Sequence, residues 1–394
     1  MKRTVVLLAA LLTLTSAACS STEDDSAVTG STTTTSGTSA SNALTLNELQ
    51  LIGTHNSYHI APEAKLFEAE KAVAASLGED AGGLGDIDSL AYTHQPLTDQ
   101  LESGIRSFEL DAYADPDGGR YATPLAPSFL GITDTPLPTG MDEPGFKVLH
   151  IADVDFMSTC ATLVVCLTEI RTWSDAHPDH VPIVINLELK ADGLPASLNA
   201  TVPAPIDATQ LDALDAEIRS VFEEDRLLTP DDVRGDAATL REAVTTTGWP
   251  KLGDVRGQVM LFMDNGGDLH DLYLTGHPSL EGRALFTSAA EDGDDDEAVV
   301  KVNDPAEAPR ITRLVNDGFF VRTRADADLT EAQTNDTTDR EITLRSGAQV
   351  VSTDFPIAEP AANGYVVAFP AGPQVRCNPV LVTACPTDSL EPAG

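Results

Sequence analysis

A single (β/α)8 barrel of the TIM type, an α/β fold with parallel strands, is what this sequence predicts, and three observations carry it. Short β-rich runs alternate with helical stretches about eight times along the 394 residues. No glycine-rich nucleotide loop accompanies them, which favours a closed barrel over an open doubly wound sheet. Polar and acidic residues collect where the β-rich runs end, the place where a parallel barrel gathers its functional groups.

In chain order, strands are expected at residues 46–54, 106–113, 147–151, 182–189, 258–264, 284–287, 318–324 and 348–354. Helices are expected at 61–77, 98–103, 163–176, 208–223, 240–246, 308–316 and 339–346. The irregular stretches 121–143 and 264–281 then become long loops around the barrel mouth. In the acidic run 291–297 the position that must be glycine in an EF-hand loop is not glycine, and the run reads as a solvated acidic loop.

Three segments precede or form this body. Residues 1–18 have the parts of an export signal: Lys2 and Arg3, a short apolar run, then Ser16-Ala17-Ala18. Residues 19–42 begin with Cys19 and continue as a Ser/Thr/Gly tether too polar to bury. Residues 43–394 form the barrel. Cys19 stands where a bacterial lipoprotein signal places its lipidated cysteine, although Ser16 occupies a position where Leu is usual. The chain is therefore expected to be exported to a bacterial cell envelope, lipid-anchored at Cys19 or else simply secreted, and monomeric.

The chain has 5 cysteines, and setting Cys19 aside leaves an even number. Cys160 with Cys166, and Cys377 with Cys385, are close enough to close small loops in an oxidising compartment. Neither pair has the spacing of a zinc knuckle.

Acidic residues outnumber basic ones 62 to 24, for a net charge of −38. Such a field repels phosphate backbones, so nucleic acid is not an expected partner. An anionic substrate would need a local cation to cancel that charge.

The strand ends offer a site for one. The first reads Gly53-Thr54-His55-Asn56-Ser57-Tyr58, the second Glu109-Leu110-Asp111, the third ends at His150, and the fourth runs Asn186-Leu187-Glu188-Leu189-Lys190. Side chains two apart on a strand share a face, so Glu109 with Asp111, and Glu188 with Lys190, point the same way. Three carboxylates and the Asn56 carbonyl make an oxygen-rich site suited to Ca²⁺, with Mg²⁺ the second choice.

The motifs GTHNSY, SFELDAY, KVLH and INLELK resemble the calcium-dependent phosphatidylinositol-specific phospholipase C family, within the wider superfamily of PLC-like barrel phosphodiesterases. The resemblance runs from Leu46 to about Pro379. It implies catalytic histidines at His55 and His150 and metal ligands at Asn56, Glu109, Asp111 and Glu188. It also implies cleavage of a phospholipid or inositol phosphodiester by general acid–base catalysis around Ca²⁺. His55 would be the base toward the ring 2-OH and His150 the acid toward the leaving diacylglycerol. Lys190 either holds a phosphate or ring hydroxyl or neutralises the acidic cluster. Asp354, on the strand that a closed barrel brings beside the first, either orients His55 or caps the turn before Pro356. His59 and His94 read as supporting or loop residues.

Two other readings stay open. Glycerophosphodiester phosphodiesterases and sphingomyelinase D-like enzymes share the barrel and the paired histidines. The former usually carry Arg after the first histidine, where this chain has Asn56. A lipoprotein that binds calcium or inositol phosphates without turnover is the non-enzymatic alternative, but binding alone does not require both an acid and a base.

Overall fold

The computed structural model describes residues 39–77, 87–133, 135–194, 198–327, 329–370 and 374–391. The expected export signal, Cys19 and nearly all of the tether lie outside these residues. Within the last part of the tether, Ser41 is buried and the Asn42 side-chain Oδ1 accepts from Arg256 Nε at 2.8 Å.

Runs of apolar and β-branched residues form the strands β1 Leu49–Thr54, β2 Ser107–Tyr113, β3 Lys147–Val148, β4 Ile183–Lys190, β5 Leu227–Leu228, β6 Val259–Met263, β7 Phe286–Thr287, β8 Val299–Lys301, β9 Phe320–Arg324, β10 Val350–Thr353 and β11 Val375–Cys377. Parallel pairing runs β7–β6–β4–β2–β1–β10–β9–β8. The Lys301 N–H donates to the Ser288 carbonyl at 3.2 Å, joining the β8 end to the β7 end and completing the ring. The two-residue β5 lies beside β6, and β11 pairs antiparallel with β1.

The expected ring of strands is therefore present with one member exchanged. Residues 147–151 are not a barrel strand: only Lys147–Val148 is extended, and it lies antiparallel on β2 as a hairpin partner, Val148 opposite Ala112. Strand β2 pairs directly with β4, and the eighth member of the ring is β8, between β7 and β9, which composition did not single out. Helices Leu163–Ala176 and Ala308–Asn316 fall where expected. Thr162 caps the first by accepting from the Val165 N–H. The expected mouth loops each hold a short helix, Leu125–Phe129 and Asp268–Leu274. The acidic run is only partly solvated. Asp296 and Glu297 are buried, the first accepting from Thr287 and facing His270, the second accepting from Arg241.

Strand β1 approaches β2 unusually closely. A Cβ on Gly53 would stand 2.7 Å from the Ser107 Cβ, its register partner, so only glycine fits there. This contact draws the end of β1, and His55 after it, toward Glu109. Phe262, Phe286 and Phe320 are buried beneath the mouth, each contributing roughly 1.5–3 kcal/mol by burial. Both expected disulfides are formed, Cys160–Cys166 and Cys377–Cys385. The first pins the loop that carries His150 to the start of helix Leu163–Ala176. No helix among the described residues is long and apolar enough to cross a membrane.

Candidate active site

The carboxyl ends of the barrel strands converge on His55. It follows β1, and its Nδ1 lies 2.8 Å from Asp354 Oδ1 just past β10. Asp354 Oδ2 accepts from Arg324 of β9 at 2.9 Å. Burial works against ionisation of Asp354, yet the charges of His55 and Arg324 hold it at about 2. The His55 imidazole is pushed below its ordinary value by burial and by Arg324, against the pull of Asp354 and Glu109. Its Nε2 lies 3.9 Å from Glu109 Oε1.

Strands β2 and β4 run side by side with Glu109 opposite Asn186 and Asp111 opposite Glu188. Glu109 accepts from Arg322 of β9. Burial raises its carboxyl, but Arg322, His55, Arg324 and Lys301 outweigh this and keep it at about 2. Asp111 differs. Burial pushes it up to about 7, against the pull of Lys190, and neither of its oxygens makes a hydrogen bond to protein. Lys190 Nζ forms an ion pair with Asp111 Oδ2 at 3.1 Å and donates to Glu188 at 2.8 Å. Those two carboxylates raise the Lys190 ammonium well above its ordinary value although burial opposes them.

One further carboxylate belongs here. Asp264, just past β6, offers an oxygen that lies within 4.8 Å of oxygens from Glu109 and Glu188, all three able to face one ion. It also pairs with Lys301 of β8 and accepts from Asn186 Nδ2 at 3.3 Å, leaving the buried Asn186 carbonyl without a partner. Asn56 takes a left-handed backbone (φ 43°), tolerable for asparagine, and commits its amide nitrogen to the Tyr92 hydroxyl at 3.0 Å. The buried Asn186 Oδ1, which has no hydrogen-bond partner, and the Asp111 carboxylate, which is held only by its ion pair with Lys190, stand beside an all-oxygen trio of carboxylates and fit a hard cation such as calcium.

His150 sits in the loop after the β3 hairpin, not at the end of a barrel strand. Its Nδ1 lies 2.8 Å from Asp155 Oδ2, and the same carboxylate lies 2.8 Å from His59 Nε2. Burial would lower the His150 imidazole, but the hydrogen bond and charge of Asp155 raise it overall. Asp155 is held at about 2 by the two histidines in spite of its burial. The loop is tied to the turn after β1 by the His59–Ser158 bridge and by the Thr159 N–H donating to the Tyr58 carbonyl at 2.8 Å. His94 donates from Nε2 to the His55 carbonyl at 2.9 Å, with Glu359 at its other nitrogen.

The structure thus gathers His55, Asn56, Glu109, Asp111, Glu188, Lys190 and Asp354 in one mouth and brings His150 to it by a different route. Sequence reasoning left Asp264, Arg322, Arg324, Lys301 and Asp155 without roles. The period-two rule would have put Arg322 and Arg324 on one face, as it did the acidic pairs. Asp155 lies in an irregular loop and has no such signal.

The family model for calcium-dependent phosphoinositide phospholipase C matches residues 44–379. Among solved structures, the calcium-dependent phosphoinositol-specific phospholipase C of a Gram-negative Pseudomonas species, in a myo-inositol complex, is 18% identical with a TM-score of 0.50, over 86% of this chain and 96% of that one. The calcium-dependent phosphatidylinositol-specific phospholipase C of Streptomyces antibioticus is 18% identical with a TM-score of 0.48, over 79% and 95%. At such identity the first likeness speaks for the fold. A search of the curated proteins finds no match. The family model covers most of the chain and all of the site residues from His55 to Glu359, and the chain therefore belongs to the calcium-dependent phosphoinositide phospholipase C family of phosphodiesterases.

Proposed function

We propose that this protein cleaves phosphatidylinositol to diacylglycerol and an inositol cyclic phosphate, with His55 as general base and His150 as general acid. One observation carries the reading: two imidazoles are each anchored through Nδ1 on a buried carboxylate, His55 on Asp354 and His150 on Asp155. Each is left with Nε2 to exchange a proton. His55 takes the proton of the ring 2-OH, and His150 protonates the departing diacylglycerol oxygen, each worth about 10²–10⁴ in rate. Asn56, Glu109, Asp111, Glu188 and Asp264 would hold calcium, which supplies Lewis acidity that eases deprotonation of the hydroxyl and offsets charge on the phosphate. Arg322 and Arg324 line the same mouth and add positive charge against the −38 of the whole chain. The position of Lys190 between Asp111 and Glu188 supports a part in neutralising the acidic cluster over a direct hold on phosphate.

Leaving-group dependence tests the two roles. From a p-nitrophenyl ester of inositol phosphate, p-nitrophenolate leaves as a weakly basic anion and needs no proton. On it His150→Ala should recover much of the rate it loses on phosphatidylinositol, whereas His55→Ala should not. Equal losses on both substrates would break the assignment.

The same reading has the enzyme exported, monomeric and held at a cell envelope by lipid on Cys19. Native protein recovered in the aqueous phase of a detergent partition, starting at an unmodified Cys19, would refute the anchor.

A further inference from the structure

His150 does not own its carboxylate. Asp155 faces His150 Nδ1 and His59 Nε2, and His59 Nδ1 lies 3.0 Å from the Tyr92 carbonyl oxygen. His59 and Asp155 are fully buried. Three contacts thus link a carbonyl, an imidazole, a carboxylate and a second imidazole, and each contact needs one hydrogen. A carbonyl and an ionised carboxylate bring none, and each neutral imidazole brings one. One contact would then set two lone pairs face to face in the dry interior, which is costly. The cluster must hold one more proton, and imidazole is a stronger base than carboxylate.

We propose that His59 is a buried imidazolium paired with Asp155, and that this fixed cation sets the proton affinity of His150. The proposal rests on His150 acting as the general acid. An unshared buried carboxylate beside His150 would make the ring hold its proton tightly and give it up reluctantly. Sharing Asp155 with a cation keeps the orientation and weakens the grip. His59 and Asp155 are positioning residues, since neither reaches the reacting atoms. Other groups also bear on this cluster. Asp111 on β2 and Lys190 on β4 act on His150 in opposite senses. Glu70 on helix Ala64–Leu77 acts on Asp155 with both oxygens buried and unpartnered, and the Tyr58 and Tyr92 hydroxyls lie within its field. None of these supplies the missing hydrogen.

The test is the pH dependence of kcat/KM for calcium-loaded enzyme and its His59→Gln variant, with histidine ring titrations followed by ¹⁵N NMR. Glutamine keeps a donor toward Asp155 but carries no charge. The alkaline limb should move up by roughly one pH unit, a tenfold change in proton affinity, with KM nearly unchanged and the His150 titration moving equally. A limb and a His150 titration that both stay put, with only a uniform loss of rate, would reduce His59 to packing and overturn the proposal. A His150 titration that moves while the limb does not would uphold the proposal and instead refute His150 as the acid. Should His59→Gln fail to fold, the wild-type spectrum decides: two ring protons on His59 between pH 6 and 8 are expected, and a single one contradicts the inference.

Discussion

Asp354 and His55 stand nearly 300 residues apart in the chain, yet Asp354 Oδ1 lies 2.8 Å from His55 Nδ1. Barrel closure brings them together. Strands β1 and β10 are neighbours with Thr54 opposite Thr353, and the His55 N–H donates to the Thr353 carbonyl at 3.0 Å. The His55 ring is therefore held in the tautomer with hydrogen on Nδ1, and Nε2 is free to act as a base.

Asp354→Asn should lower kcat by about 10²- to 10⁴-fold with little change in KM, because an amide can face Nδ1 as a donor and favour the wrong tautomer. Steady-state kinetics decide this, with circular dichroism to confirm that the variant folds. A variant with full activity would leave Asp354 as a turn residue only.

Glu109→Gln, Glu188→Gln and Asp264→Asn should each weaken calcium binding by at least tenfold and lower activity in step, since each removes a charged oxygen from the trio. His55→Ala and His150→Ala should leave calcium binding nearly intact. Calorimetric titration separates the two groups. An Asp264→Asn protein with native calcium affinity would show that Asp264 serves only to hold Lys301.

His180 predicts an acid-sensitive stability unrelated to catalysis. Its Nδ1 donates to the Val181 carbonyl at 2.6 Å and its Nε2 lies 2.7 Å from Ser174 Oγ. Burial depresses it from 6.5 to about 4, helped by Arg106 and Arg226 and opposed by the bond to Val181. Between those values the unfolded chain binds the proton and the folded chain does not, so stability falls as pH drops through this window. The full loss is on the order of 3 kcal/mol below pH 4. Denaturant unfolding at pH 7.5 and 4.5 should show a smaller difference for His180→Gln than for the wild type. An equal difference would place the acid sensitivity elsewhere.

The acidic half of the site was legible because alternation on a strand is a local rule. Glu109 with Asp111, and Glu188 with Lys190, share faces whatever the rest of the chain does. The partner of a strand is not local. Residues 147–151 and Val299–Lys301 are both short and apolar, and only long-range packing makes the first a hairpin on β2 and the second a barrel strand. The acidic run before β8 further hid it by reading as a loop. Asp155 and His59 owe their place to a loop folded back over the turn after β1, so no spacing rule marks them.

Calcium-dependent cleavage on the diacylglycerol side of the phosphate is tested most directly by phosphorus NMR of phosphatidylinositol turnover. With calcium present, the substrate resonance should give way to that of an inositol cyclic phosphate, and excess chelator should stop the change. Turnover that persists in chelator, or phosphatidate appearing as the phosphorus-bearing product, would contradict the account.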